Sequence, residues 1–179
     1  MSCLRKDGFA DTDSFACLAG TIGAIGGNDR GISSVMNDAS FYIAKGMKDD
    51  GTGPTSDVLA AVDACVANGA KVINLSIGCS NNCYSLIAAQ TYKEVYDQGV
   101  LIVSSSGNAG SSAFSYPASY DNVMSVTAVD SSENKYSDAQ YNAQVEIAAP
   151  GVDVLVSTLQ ESFGTNFATI KESHFGVSD

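Results

Sequence analysis

The stretch Gly99–Gly110, GVLIVSSSGNAG, decides the fold of this chain. Its apolar run, Val100–Val103, has no polar face, which is typical of a strand covered on both sides in a parallel sheet. Gly107 and Asn108 then end the strand. Because ligands bind to open α/β sheets beyond the carboxyl ends of the strands, we expect the Asn108 amide at the ligand-binding edge. A Gly-Asn turn without a ligand is the simpler alternative for these two residues.

Strands and helices alternate on both sides of this stretch. The apolar patterns predict further strands at 41–47, 71–77, 123–129, 144–148 and 152–158. They predict helices within 14–27, at 57–67 with Ser56 as the N-cap, and at 84–97. The apolar face of the second helix consists of Val58, Leu59, Val62 and Val66. The alternation predicts an α/β fold with three layers, in which helices cover both faces of a mostly parallel central sheet.

The composition is that of an acidic globular chain. Its 179 residues are enough for one domain with a sizeable core, and 20 acidic against 9 basic residues give a net charge of −11. That charge repels phosphate backbones and anionic lipid, so we expect neither nucleic acid nor a membrane surface as a partner. No apolar stretch is long enough to span a bilayer, and the first residues, MSCLRKDGFADTD, contain no apolar core of a signal peptide.

Five cysteines are present, so pairing within the chain leaves at least one of them unpaired. Their spacing matches no zinc-binding pattern, and we expect no metal site. Two interpretations stay open. Either all the thiols are free and buried, or there is one local disulfide, for which Cys79 and Cys83 are the best pair.

Five segments of the chain resemble, in order and spacing, segments of the subtilisin-like serine proteases. They are LAGTIGA (18–24), KVINLSIG (71–78), GVLIVSSSGNAG (99–110), YPASYDNVMSVTAVD (116–130) and AAPGVDVLVST (148–158). The similarity covers roughly 14–159 and implies an incomplete subtilisin-like peptidase domain. It also implies an endopeptidase mechanism, in which a serine attacks the peptide carbonyl, a histidine takes its proton and an aspartate orients the histidine.

The positions that correspond to this catalytic triad hold other residues. Ser14 stands where the family has the histidine, and a serine hydroxyl cannot act as a general base near neutral pH. Asn166, in GTNFATI, stands where the family has the serine in GTSMATP, and an amide cannot form an acyl-enzyme. The family's aspartate strand has no counterpart here, and His174 fits no family position. We therefore expect the chain as written to be catalytically inactive.

Other parts of the family's substrate site do have counterparts. Asn108 takes the position of the asparagine whose amide stabilises the oxyanion. The segments that contact an extended peptide correspond to Gly51, Thr52 and Gly53, to Leu75, Ser76, Ile77 and Gly78, and to Ser106 and Gly107. The resemblance thus implies a peptide or protein ligand. The alternative is a set of inherited turns that no longer bind anything.

The family often binds calcium in the loop after its VAGT helix, where this chain has Asn28 and Asp29. Calcium takes about six to eight oxygen ligands. Arg30 lies beside these two residues and opposes a cation. We therefore expect a solvated turn at this loop and no cofactor.

The predicted organisation is a poorly ordered segment at 1–13, the partial peptidase domain at 14–159 and a divergent remnant at 160–179. Three functional hypotheses follow. The first is a subtilisin-like domain that has lost catalysis. The second is a fragment of an active endopeptidase, usually secreted in this family, whose missing parts lie outside this chain. The third is a nucleotide-binding α/β domain that uses the Gly107–Gly110 loop, although the chain has neither GxGxxG nor a P-loop lysine.

Overall fold

Helices and strands alternate along the chain, as the apolar pattern predicted. A computed structural model describes residues 12–29, 31–48, 51–80, 83–157 and 169–172. In chain order, the elements are α1 (Thr12–Gly23), α2 (Thr55–Ala67), β1 (Val72–Leu75), β2 (Cys79–Ser80), α3 (Leu86–Asp97), β3 (Leu101–Ser105), β4 (Ser115–Tyr116), β5 (Met124–Val129), β6 (Val145–Pro150), β7 (Val154–Ser157) and β8 (Thr169–Glu172).

Within the described residues, four parallel strands form the central sheet, in the order β1-β3-β5-β6. The register pairs Ile73 of β1 with Ile102 of β3, and both side chains are fully buried. β3 lies inside the sheet with a neighbour on each side, which explains why its sequence is an unbroken apolar run. The predicted fold class, a mostly parallel sheet flanked by helices, is confirmed in a partial form.

Helices α2 and α3 build the main core against this sheet. Leu59 and Val62 of α2 are buried in that core and Val66 packs against it, as the predicted apolar face requires. From α3, the buried side chains of Tyr92 and Val95 belong to the same cluster. Burying an apolar side chain of this size contributes roughly 1.5–3 kcal/mol, so this helix-on-sheet layer is the principal source of stability.

Helix α1 packs against β7, which pairs with β8 in a separate two-stranded antiparallel sheet. The strand predicted at 152–158 is therefore present in a shorter form, and its Val156 side chain is fully buried. β8 falls within the region predicted to be a divergent remnant. Of the predicted N-terminal segment, residues 1–11 lie outside the described residues, and the last two residues begin α1.

The strand predicted at 41–47 is wrong. Lys45 takes part in an isolated bridge, and no ladder between the strands of the described residues runs through this segment. A strand needs a hydrogen-bonded neighbour, and tertiary pairing rather than the apolar pattern supplies that neighbour. The apolar pattern reflects packing instead, because Ala44 belongs to the main core and Tyr42 packs against it.

The N-cap predicted for α2 is also wrong. The helix begins at Thr55, its N-cap is Pro54, and no side chain caps it. Ser56 therefore lies in the first turn rather than before it. Helix α3 begins two residues after its predicted start and does have a capping side chain, because Ser85 Oγ accepts a hydrogen bond of 3.3 Å from the Ala88 N–H.

Replacing Ser85 by alanine is expected to lower the free energy of unfolding by about 1 kcal/mol, because the Ala88 N–H loses its capping acceptor. Ser56→Ala is the matched control, and we expect it to change stability by less than about 0.5 kcal/mol. Urea denaturation followed by circular dichroism measures both values. Equal losses in the two variants would contradict this assignment of the caps.

Candidate functional site

The carboxyl ends of β1 and β3 lie side by side, because the two strands are parallel and paired. Leu75 is opposite Ser104, and the buried Ser104 hydroxyl donates a hydrogen bond of 2.9 Å to the Leu75 carbonyl. The chain then leaves both strands at the same edge, as Ser76–Gly78 and Ser106–Asn108. Two of the three segments predicted to contact a peptide therefore meet at this edge, where Asn108 is exposed.

A buried serine lies between these two segments. β2 pairs with β4 in a short antiparallel ladder that places Ser115 opposite Ser80. A Cβ atom added to Gly78 would lie 3.1 Å from Ser115 Oγ, and one added to Gly107 would lie at the same distance. The two glycines thus allow both backbones to approach Ser115 closely. Ser115 was not predicted from the sequence, because a serine in a polar loop has no distinguishing pattern.

Gln140 is the second residue at this edge that the sequence analysis missed, and its side chain is 3% exposed. The Gln140 backbone N–H donates to Gly107 O at 3.0 Å, and its side-chain amide donates to Ala113 O at 2.6 Å. Its own carbonyl accepts a hydrogen bond of 2.8 Å from the Thr127 hydroxyl. Gly107 has a φ of 105°, which other L-residues rarely adopt, so the turn before Asn108 requires glycine.

The third predicted segment, Gly51–Gly53, lies against the loop that precedes it. The Lys48 N–H donates a hydrogen bond of 2.7 Å to Thr52 O. A Cβ atom added to Gly53 would lie 3.1 Å from the carbonyl oxygen of Gly46. These contacts hold the segment as a tight turn before α2.

The side chains at the triad positions are not among the described parts of the structure. Ser14 lies in α1, where its backbone alone is described. Asn166 and His174 lie outside the described residues. The replacement of the catalytic histidine and serine therefore stays a prediction from the resemblance.

A partly exposed carboxylate, that of Asp130, follows β5 at the same edge of the sheet. Hydrogen bonds from the backbone N–H and the side-chain amide of Asn134, and then from the Ser132 N–H, hold the pKa of Asp130 below its ordinary value. Asp130 is thus ionised at neutral pH and bound within its own turn. This state suits a structural turn rather than a general acid.

Four tyrosine rings stack beside the candidate site, with centroids 4.7–5.6 Å apart; they are Tyr84, Tyr92, Tyr116 and Tyr120. Burial raises the pKa of Tyr92 and of Tyr120, and the other phenols nearby add to both shifts. The Tyr92 and Tyr120 phenols therefore stay neutral near pH 7. The Tyr120 hydroxyl accepts a hydrogen bond of 2.9 Å from the Ser85 N–H, so the cluster supports the start of α3.

Three cysteines have a definite state in the structure. Cys79 and Cys83 form a disulfide, which is one of the two alternatives that the sequence left open. It closes the loop that follows the Leu75–Gly78 segment. Cys65 is disulfide-bonded as well, which the sequence analysis did not predict.

Within the described part of the chain, no group of three or more His, Cys, Asp or Glu residues is placed to hold a metal ion. Asp29, in the loop considered for calcium, has a φ of 56° in a turn. The helices described there include none that is long and apolar enough to cross a membrane.

The parallel sheet described above is consistent with the protein family that the chain matches. Residues 16–176 match the model of the subtilase family. This chain belongs to the subtilase family of serine peptidases. The resemblance that the five sequence segments indicated is thereby confirmed.

Bacterial subtilisins are among the similar relatives. Subtilisin BL of Lederbergia lenta is 38% identical over 156 residues, which cover 85% of this chain and 57% of that protein. The alkaline protease of Alkalihalobacillus alcalophilus is 37% identical over 156 residues, with 85% of this chain and 40% of that protein covered. The chain therefore spans between 40% and 57% of the length of these two curated relatives.

A solved structure with similar sequence and fold is the psychrophilic subtilisin-like protease Apa1 from Pseudoalteromonas sp. AS-11. The two structures match with a TM-score of 0.77 and 36% sequence identity. The match covers 88% of this chain and 38% of the Apa1 chain. The self-cleaved protease domain of PatA has a TM-score of 0.75 at 19% identity, which shows a common fold alone.

Proposed function

We propose that this chain is a peptide-binding subtilase domain that does not hydrolyse peptide bonds by itself. The proposal rests on the assignment, from the resemblance, of Ser14 to the position of the base and of Asn166 to the position of the nucleophile. A hydroxyl is not basic enough to accept the proton near neutral pH, and a carboxamide cannot form an acyl-enzyme. The family's aspartate strand also has no counterpart in this chain, so restoring the other two residues leaves the triad incomplete.

The carboxyl edge of the sheet supports the binding part of the proposal. An extended peptide would pair as a strand with the backbone of Ser76–Gly78, which leaves the end of β1 at this edge. The Asn108 amide at the same edge would donate a hydrogen bond to a carbonyl oxygen of that peptide. Pairing of this kind uses main-chain hydrogen bonds and depends little on the ligand's side chains. The ligand class is therefore an extended peptide or an unfolded protein segment of no particular sequence.

The length comparison supports a second candidate. The chain spans 57% of Subtilisin BL, so the segments with the aspartate and the serine would lie in another part of a longer, secreted and active endopeptidase. Sequencing the complete message discriminates between the candidates, because this one requires a DTG strand and a GTSMA segment in the message. Membership of the subtilase family argues against the third hypothesis, a nucleotide-binding domain.

The loss of catalysis is tested by a peptidase assay on the purified chain with fluorescent casein, and Subtilisin BL serves as the positive control. We expect hydrolysis no faster than the buffer blank, because neither a base nor a nucleophile is present at the triad positions. The double variant Ser14→His with Asn166→Ser is expected to be equally inactive, because the aspartate is still absent. Casein turnover by the chain as written, or phosphonate labelling of any of its serines, would refute the proposal.

A further inference from the structure

Gln140 is a buried loop residue whose polar groups bind three different parts of the chain. Its N–H donates to Gly107 O at 3.0 Å, and its side-chain Nε2 donates to Ala113 O at 2.6 Å. Its carbonyl accepts from Thr127 Oγ1 at 2.8 Å and from Ser106 Oγ at 3.4 Å. Because a buried amide is costly unless it is hydrogen-bonded, these contacts fix the position of Gln140 against the neighbouring loop.

The Gln140 side chain also fills the space beside Gly107. A Cβ atom at Gly107 would overlap with Gln140 Oε1 and would lie 2.7 Å from Gln140 Cδ. The φ of 105° at Gly107 turns the chain directly before Asn108. The two residues are complementary, because glycine allows the turn and leaves the space that the glutamine occupies.

The residues on both sides of Gln140 bind the rest of the same loop. Three hydrogen bonds connect the segments, between Gly110 N and Asp138 O (2.6 Å), between Tyr141 N and Ser111 O (3.1 Å), and between Asn142 Nδ2 and Ala113 O (3.0 Å). The segment 138–142 therefore holds the loop 107–113 at spaced points. Among these contacts, the one that Gln140 makes with Gly107 is the nearest in sequence to Asn108.

We infer that Gln140 is a positioning residue for the Asn108 amide. The inference rests on the proposed function, in which that amide donates to a peptide carbonyl oxygen. Gln140 acts through Gly107: its backbone N–H binds the Gly107 carbonyl, and its side chain, anchored on Ala113 O, packs against Gly107 in the turn before Asn108. A hydrogen-bond donor binds an oxygen more strongly when the orientation of the donor is fixed before the ligand binds. A more mobile turn at Gly107 therefore weakens peptide binding, although Gln140 itself does not contact the peptide.

The test measures binding of acetyl-tetraalanine amide to the purified chain by NMR. The side-chain NH₂ signals of Asn108 are assigned by their loss in Asn108→Ala, and they are expected to shift when the peptide binds. Gln140→Met keeps the length of the side chain and removes its Nε2 hydrogen bond to Ala113 O, while the backbone hydrogen bonds to Gly107, Thr127 and Ser106 can still form. We expect it to weaken binding by about fivefold or more, which is the loss of one hydrogen bond at the ligand.

Val62→Ala is the control for a purely structural effect. Val62 is fully buried in the core under α2, so its truncation lowers stability without altering the 107–113 loop. We expect its thermal midpoint to fall at least as far as that of Gln140→Met, with a peptide Kd within about twofold of the wild-type value. Equal weakening of binding in both variants would overturn the inference.

Gln140→Glu is a second variant, nearly identical in shape. A carboxylate cannot donate to Ala113 O, whereas a protonated carboxyl group can. A buried carboxyl group is protonated at higher pH than an exposed one, so the binding defect relative to wild type is expected to shrink between about pH 8 and about pH 5. A defect of constant size across this range would overturn the role of the Nε2 hydrogen bond.

Hydrogen exchange separates this inference from the proposed function, because it requires no ligand. In Gln140→Met, the backbone amides of 106–110 are expected to exchange about tenfold faster, while those of α2 keep their wild-type rates. Absence of peptide binding by the wild-type chain would refute the proposed function and leave this measurement to decide the inference. Unchanged exchange at 106–110 would overturn it.

Discussion

An Ile102→Ala variant is expected to lose about 2–5 kcal/mol of unfolding free energy. Ile102 has no exposed surface, lies in the middle of β3 and is opposite Ile73 in the parallel ladder. Truncation removes apolar contacts and leaves a cavity that a strand with neighbours on both sides cannot close by moving. Because whole domains are stable by only about 5–15 kcal/mol, this single change is a large fraction of the total.

Ile87→Ala is the control for this variant, because Ile87 lies on α3 with 73% of its surface exposed. We expect its stability to stay within about 0.5 kcal/mol of the wild-type value. Urea denaturation of both variants, followed by circular dichroism, gives the two free energies. A similar loss at Ile87 and Ile102 would mean that β3 is not the interior strand of the sheet.

A Gly107→Ala variant is expected to lose about 2–5 kcal/mol, from two separable causes. The first is the positive φ of 105°, for which an L-residue incurs roughly 1–2 kcal/mol. The second is the overlap of the new methyl group with the buried Gln140 side chain, which adds about 1–3 kcal/mol. Denaturation with urea measures the sum of both effects.

Gly69→Ala separates these two causes. Gly69 has a similar positive φ of 82°, but nothing lies within 4 Å of an added Cβ atom. We expect this variant to lose only the backbone contribution, roughly 1–2 kcal/mol. The pair Gly107→Ala with Gln140→Ala should lose at least about 1 kcal/mol less than the sum of the two single losses, because the overlap is gone. Identical losses at Gly69 and Gly107, with additive behaviour of the pair, would contradict the packing described here.

Most elements of the fold were predictable because each has a local pattern. The apolar run of Val100–Val103 indicated the interior strand, and the spacing of Leu59, Val62 and Val66 indicated the buried face of α2. Glycine at Gly99 marked the end of α3, where the structure has a φ of 76°. These signals depend on residues close in sequence, so they can be read without the fold.

Two predictions were wrong, the strand at 41–47 and the N-cap at Ser56, because each depended on contacts that the segment's own residues do not specify. Residues 41–47 are apolar enough for a strand, but strand formation depends on a hydrogen-bonded neighbour that the segment itself does not specify. Ser56 is a good capping residue by type, but the helix begins one residue before it. In both cases the residue types suited the predicted structure, but the neighbouring strand or the helix start that the prediction required is not present at that position.

Local pattern and motif order were sufficient for the α/β class, for the family and for Asn108 as the residue at the edge of the sheet. The surroundings of Asn108 required the folded chain. Gln140 and Ser115 reach Gly107 from other loops, and their contacts follow no period and no motif. A hydrophobic period records burial along one element, whereas a hydrogen bond between loops depends on how separate elements approach each other in space.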